Sequence, residues 1–470
     1  MFTTRKSSPP SLRANVSFAQ LLPLFVRLFT LAALADRLQH YPVCFYERLW
    51  CPLVTLWYLV WQRLQADGTM EAVVQDLRRG GADALARRRP PPSQAIRSRA
   101  TTGYSDARQR LPLAWVADAL VALARQLLQP VQGLHWHGLA VRLLDGSTLR
   151  LRPLGDIPKV FGRHGNQHQK SYWCLMRVVG AFCLGSGLVV AATVGALSRS
   201  EQALAVQLML AHGRASELWV GDRNFGVWRV VRAATQSGGH LLVRLTASRA
   251  RCLAGRRLRP GLDQRVRWEP SRHDQVDPGL ERAAVVGRLL VAVVRRRGFR
   301  PQTLLLFTTL VEGAAYPAVE LLELYGHRWE VELNFRYLKA ELGLAQLAVK
   351  STDLAQKEFY AGLIAYNLIR GVMLAAALQS GQPVGRLSFA GARRLVREAL
   401  RDWGRQRSRP AQRRRLAELL EDVAACRLPR RQKPRPAEPH RKWHLRETFP
   451  PMRGSRATAR RQLKNEQMKS

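Results

Sequence analysis

The stretch YGHRWEVELNFRYLKAELGL, residues 325–344, sets a carboxylate among cations and a phenol. Tyr325, Arg328, Glu332 and Lys339 follow one another at spacings of 3, 4 and 7 residues. At about 100° per residue on a helix they fall within a sector of about 60°, with Arg336 beside them. Glu330 and Glu341 fall on the far side. One reading is an ion pair at i±4, Glu332 with Arg328 or Arg336, worth about 0.2–0.5 kcal/mol. The other is a metal ligand flanked by groups that grip phosphate, and that reading needs more ligands from elsewhere.

Two acids can supply them. AVRLLDGSTLRLRPL (140–154) reads as a strand with Asp145 at its middle, and ELWVGDRNF (217–225) as an apolar strand that delivers Asp222 at its C-terminal end. An Asp in such a strand is costly unless it is paired, bound to metal or placed in a strand-end turn. Asp145, Asp222 and Glu332 together would form a cluster of like charges, stable only if protonated or neutralised by cations. Oxygen-only ligands select Mg²⁺ or Mn²⁺ over zinc. Two such ions about 3.5–4 Å apart suit an in-line phosphoryl displacement. The expected site is therefore Asp145, Asp222 and Glu332 as catalytic metal ligands, holding two Mg²⁺ or Mn²⁺ ions. Tyr325, Arg328, Lys339 and Arg336 would hold DNA phosphates beside them.

The elements that position these residues follow from pattern. Apolar helical periodicity runs from Phe18 to about Leu85 and again over 105–129, so residues 1–130 read as all-α. VVGAFCLGSGLVVAATVGAL (178–197) is 20 residues without a charge, the length of a membrane span. The GSG at 185–187 divides it into two runs of β-branched and small residues, the pattern of a buried hairpin. A Ser-capped helix over 199–213 precedes the Asp222 strand, and STDLAQKEFYAGLIAYNLIRGVMLAAAL (351–378) is a long apolar helix able to pack under the Glu332 segment. Strand with Asp, hairpin, helix, strand ending in Asp, insertion, helix with Glu: this order suits a mixed α/β sheet with helices on both faces.

The charge balance points to the partner. The 470 residues carry 75 Lys and Arg against 34 Asp and Glu, a formal net charge of +41. A chain this basic binds polyanions, with nucleic acid the abundant candidate. The six cysteines show no CxxC pair, which suits a reducing compartment, and no secretory signal opens the sequence. A cytoplasmic, nucleoid-associated protein with no membrane partner is expected.

The blocks taken jointly are similar to the DDE transposases of bacterial insertion sequences, specifically insertion-sequence family four. The hallmark of that family, Y-x2-R-x3-E-x6-K, is matched by Tyr325, Arg328, Glu332 and Lys339; DGST, GDRNFG and YNLIR (366–370) match further blocks, over about residues 30–380. The resemblance implies a ribonuclease-H-like mixed sheet with Asp145, Asp222 and Glu332 as its metal-binding triad. It implies an all-α N-terminal region at 1–130 reading DNA ends, a catalytic domain at 131–239 and 313–395, and a β-rich insertion at 240–312. A basic, largely disordered tail at 396–470 would follow. The implied activity is strand cleavage at transposon ends and strand transfer to target DNA. Its partners would be the terminal inverted repeats, the target duplex and a second copy of the chain, because two ends must be held together. An aromatic residue of the insertion can receive a flipped base in relatives, and Trp268 is the only Trp of 240–312. His164 and His168 stand near the first Asp but read as part of a polar loop. The competing reading is a catalytically inactive DNA-binding remnant that keeps the fold. A stand-alone nuclease or an RNA-binding protein fits the same blocks less well.

Overall fold

The computed structural model describes residues 49–85, 90–129, 131, 135–165, 170–274, 276–294, 301–403, 408–429 and a few positions beyond 456. The helical pattern read over residues 18–48 lies outside the described residues, as do His168 and the side chain of His164. By compactness the chain divides into residues 5–292 with 303–428, described below, and a small unit of 1–4, 293–302 and 429–470.

Five helices open the described chain: α1 (Pro52–Leu64), α2 (Met70–Arg78), α3 (Pro92–Ala95), α4 (Thr102–Arg110) and α5 (Leu113–Leu128). Local chemistry starts them. Thr69 caps α2 by accepting the Ala72 N–H, and α1 and α3 begin with Pro, which lacks the N–H that a first turn leaves unpaired.

A mixed sheet follows. β1 (His135–Trp136) pairs with β2 (Leu139–Leu151); after α6 (Ile157–Phe161) come β3 (Arg163–Gly165), β4 (Lys170–Cys183) and β5 (Val189–Ala196). The uncharged stretch is the expected hairpin, turned between β4 and β5 by Gly185 and Gly187, both at positive φ (88° and 72°). After α7 (Glu201–His212) lies β6 (Glu217–Gly221), and after α8 (Trp228–Gln236) lies β7 (His240–Arg244). β4 lies between β2 and β5 and is antiparallel to both, whereas β2, β6 and β7 run parallel. This is a ribonuclease-H-like core.

The insertion extends that sheet. Helix α9 (Ala247–Ala254) leads to β8 (Asp263–Trp268), β9 (Val285–Val294) and β10 (Gln302–Thr308), and β10 lies antiparallel on β7. Residues 240–244, placed by sequence at the start of the insertion, are the last strand of the parallel run. Strand packing here leaves no room at Gly287 of β9. A Cβ would sit 2.3 Å from the Phe307 ring and 2.5 Å from the Thr308 carbonyl oxygen. Gly287→Ala is expected to cost about 3 kcal/mol, the upper range of overpacking, because backbone must move. Equal denaturant midpoints for variant and wild type would refute this.

The chain returns through α10 (Ala318–Gly326), α11 (Glu330–Arg336), β11 (Gln346–Leu347), α12 (Thr352–Ser380), α13 (Phe389–Trp403) and α14 (Arg409–Ala425). The two sheet faces bury different residues. Val141, Leu143, Leu218, Val220 and Leu242 share a core with the N-terminal helices and α12, while Leu144, Trp219, Leu241 and Val243 pack with α7 and α8. Helix α12 is long and apolar enough to cross a membrane, yet 94% of its apolar window is buried in this core. Its Glu358 also takes Arg63 of α1 and Arg108 of α4, fastening the N-terminal helices to it.

The tail expected to be uncompacted from residue 396 is folded further than that. Ser408 caps α14 by accepting the Ala411 N–H, and Leu416, Leu419, Leu420 and Val423 are buried in the α12 core. Their spacing makes one apolar helical stripe within an Arg-rich segment, and that stripe decides against charge. Residues 430–456 lie outside the described residues.

Candidate active site

Asp145 and Asp222 stand side by side because their strands do. β2 and β6 are parallel, with Arg142 opposite Trp219 and Leu143 opposite Val220. Two residues further along each strand are Asp145 and Asp222. Asp145 continues the Val141–Leu143 face, towards the helices that follow the insertion; its Oδ1 accepts the Gly146 N–H at 2.9 Å. Asp222 ends its strand and caps a short 3₁₀ turn, Arg223–Phe225, accepting the Asn224 N–H at 2.8 Å.

Electrostatics reports the crowding. Burial pushes the Asp145 carboxyl up to about 6; the Gly146 N–H and Arg328 oppose this, and Asp222 and Glu201 add to it. Glu201, on the first turn of α7, is likewise raised by burial, with Asp222 adding and Arg177 opposing. Its carboxylate packs directly against Gly146 of β2: a Cβ there would lie 2.4 Å from Glu201 Cδ, so any side chain at 146 would displace it. Asn224 Nδ2 donates to Glu201 Oε2 at 2.7 Å, so Asn224 bridges Glu201 to Asp222. Sequence reading missed Glu201 and Asn224. Their signals, RSEQ and GDRNF, read there only as a helix start and a strand end.

The segment carrying Tyr325 to Lys339 is helical but irregular. Between α10 and α11 the residues His327–Trp329 tighten to a 3₁₀ turn, and Tyr337–Glu341 widen to a π turn, with the Leu342 N–H reaching the Tyr337 carbonyl. β11 then pairs with Arg150 and Leu151 of β2, so the segment is pinned over the Asp145 strand. Arg328 and Lys339 both feel the charge of Asp145, and Tyr325 that of Asp222. Tyr325 is buried; desolvation pushes its hydroxyl up to about 12, against the hydrogen-bonded Arg328 and against Arg244. Burial and the neighbouring Arg150 hold Lys339 below the usual lysine range, and Asp145 opposes them.

Two residues depart from the expected arrangement. Glu332 is 60% exposed and accepts from Arg328 Nη2 at 2.7 Å, the simple i,i+4 pair. Among the described residues no three Asp, Glu, His or Cys side chains converge as metal ligands, so the expected triad is represented by the Asp145–Asp222 pair. Trp268, expected to offer a stacking surface, is a core residue: it is 6% exposed and edge-on to Phe307 at 5.1 Å. The apolar ring is worth more inside the insertion than on its surface. The exposed tryptophan of the region is Trp329, at 53%. Arg336 is exposed over the Tyr337 ring at 5.8 Å.

The donor set of the pair suits a hard divalent cation: carboxylate oxygens only, with repulsion in a half-buried site that such a charge would relieve. A family profile described as "Transposase DDE domain" matches residues 136–368, from β1 to the middle of α12. The chain carries a DDE transposase domain. That domain matches the transposases of insertion-sequence family four. The Escherichia coli (strain K12) protein "Transposase InsG for insertion sequence element IS4" is 28% identical over 331 residues, 69% of this chain and 72% of its own length. A piggyBac transposase synaptic complex with hairpin DNA aligns over 89% of this chain and 88% of its own at 11% identity, with a TM-score of 0.41, too distant a likeness to carry an argument.

Proposed function

We propose that the DDE domain cleaves DNA at transposon ends and transfers the freed strand to target DNA, with two copies of the chain holding two ends in a synaptic complex. The observation that supports this best is the pair Asp145 and Asp222 at adjoining strand ends, facing the basic segment of Arg328 and Lys339. Asp145 and Asp222, with Glu332 as third carboxylate, would hold Mg²⁺ or Mn²⁺, which activates an attacking oxygen and offsets charge on the leaving one. Arg328, Lys339 and the Tyr325 hydroxyl orient the scissile phosphate against the acids, and Arg336 lies at the exposed edge of the same face. In the first step a water oxygen bonds to phosphorus and the bond to the 3′ oxygen breaks. A 5′ phosphate and a 3′ hydroxyl result. In the second step the oxygen of that hydroxyl bonds to a target phosphorus while the bond from that phosphorus to the target's own 3′ oxygen breaks, and the proton released passes to the freed 3′ oxygen as a new hydroxyl.

The test uses the purified chain and a duplex bearing the terminal repeat from DNA flanking its gene. Cutting at the repeat boundary in Mg²⁺ or Mn²⁺, abolished by EDTA and by Glu332→Ala, is the expected result. Tight binding without cutting in either metal would favour the inactive DNA-binding remnant instead.

A further inference from the structure

Beyond Asp222, on the insertion side, the end of β7 and the start of α9 frame a cleft of about 910 Å³. Arg223, Arg244, Arg251, Arg256 and Arg257 line it. Elsewhere in the fold, arginines near carboxylates are paired: Arg142 with Glu217, Arg229 with Asp277, Arg232 with Glu281, Arg288 with Asp263. None of the cleft's five has an acidic partner within ion-pair distance among the described residues. Arg256 is held by Gln264, its Nε donating to Oε1 at 2.9 Å, which orients the guanidinium without neutralising it. Five like charges around one concavity repel each other and focus a positive potential into it, a cost that an entering polyanion removes. Leu245, Leu258 and Leu305 also line it, an apolar surface that suits sugar and base edges better than a free inorganic ion. The cleft also adjoins the catalytic pair. Arg223 follows Asp222 in the chain, and the charge of Arg244 reaches Tyr325.

We propose that this cleft is a second DNA-backbone subsite, in which the five guanidiniums hold consecutive phosphates of one strand on the insertion side of Asp145 and Asp222. It is separate from the Arg328–Lys339 face, and it rests on the transposase reading above. Two DNAs present this chemistry, the transposon end and the target.

The experiment measures binding of the full chain by fluorescence anisotropy across a salt series, on a terminal-repeat duplex and on an unrelated duplex. Wild type is compared with the double variant Arg251→Ala, Arg257→Ala; both side chains are exposed, so folding is expected to be unaffected. Each lost phosphate contact removes about 0.9 from the slope of log K against log salt, so the double variant should lose about 2, with weaker binding to match. Loss on the repeat duplex alone assigns the cleft to the transposon end, and loss on the unrelated duplex alone to the target. Loss on both assigns it to backbone of either source. The variant Arg251→Lys, Arg257→Lys should restore most of the slope, because charge rather than shape carries the contact. Unchanged slopes on both duplexes, with wild type binding tightly, would overturn the cleft and leave the transposase reading intact. Failure of wild type to bind either DNA would overturn both.

Discussion

Asp145→Asn is expected to abolish metal-dependent cleavage while raising the thermal stability of the metal-free protein. In the proposed role of Asp145 as a metal ligand, its loss removes several kcal/mol of transition-state stabilisation, a fall in rate of about 10³-fold or more. The stability gain comes from the same group. Its carboxyl is raised from 3.8 to about 6 by burial, with the charges of Asp222 and Glu201 adding. The folded state thus holds the proton more tightly than the unfolded chain. That contribution is fully present below about pH 4 and is lost as pH rises through about 6. The difference of about 2 pH units corresponds to roughly 3 kcal/mol at most, and relaxation of a partly exposed site reduces it to about 1–3. Asparagine keeps the uncharged form at every pH. The variant should therefore melt several degrees above wild type at pH 8 in EDTA, and the two should converge near pH 4. Retained cleavage, or equal melting at pH 8, would sink the assignment of Asp145 to a strained, metal-holding position.

Arg370→Met should unfold the support of the Glu332 segment, at a cost of about 3 kcal/mol. Arg370 is a buried cation, 7% exposed, with no carboxylate partner among the described residues. Its Nη2 donates to Asn334 Oδ1 at 2.6 Å, and its Nε to the Tyr366 hydroxyl at 2.9 Å. Its guanidinium lies over the rings of Tyr337, Tyr366 and Phe389, 5.4, 5.4 and 5.5 Å from their centroids. Tyr366 in turn donates to the Gly187 carbonyl in the β4–β5 turn. Weak hydration and a planar fork let an arginine occupy such a site, where rings and two neutral acceptors replace a counterion. Methionine fills the volume but leaves the Asn334 oxygen unsatisfied inside the core, and bonds to a charged donor are worth about 1.5–3 kcal/mol each. Asn334 stands two residues after Glu332 on α11, so cleavage should fall further than melting temperature alone explains. Lysine has neither the fork nor the stacking face, so Arg370→Lys should rescue poorly. Full activity and wild-type melting of the lysine variant would refute the argument.

Much of this protein can be read locally, because strand and helix periodicity are written in neighbouring residues. The alternation around Asp145, the apolar run that ends at Asp222, the uncharged hairpin cut by Gly185 and Gly187, and the capped starts of α7 and α12 are all of this kind. So is the face shared by Tyr325, Arg328 and Lys339, since three- and four-residue spacings survive a helix that tightens at His327–Trp329 and widens at Tyr337–Glu341. The sequence by itself therefore determined the fold class, the order of elements and the Asp145–Asp222 pair. Only the tertiary structure decided which partners those elements meet. Glu201 occupies space at the site that Gly146, on a distant strand, leaves open by having no Cβ. Arg370 holds Asn334 from 36 residues away. Trp268 goes inward because Phe307 on β10 offers it an edge. Five arginines that look like surface charge converge on one cleft. Leu416, Leu419, Leu420 and Val423 carry a basic segment into the core against its composition. Each of these depends on contacts between residues far apart in the chain, and the chain's spacing encodes which face a side chain takes but not what stands opposite it.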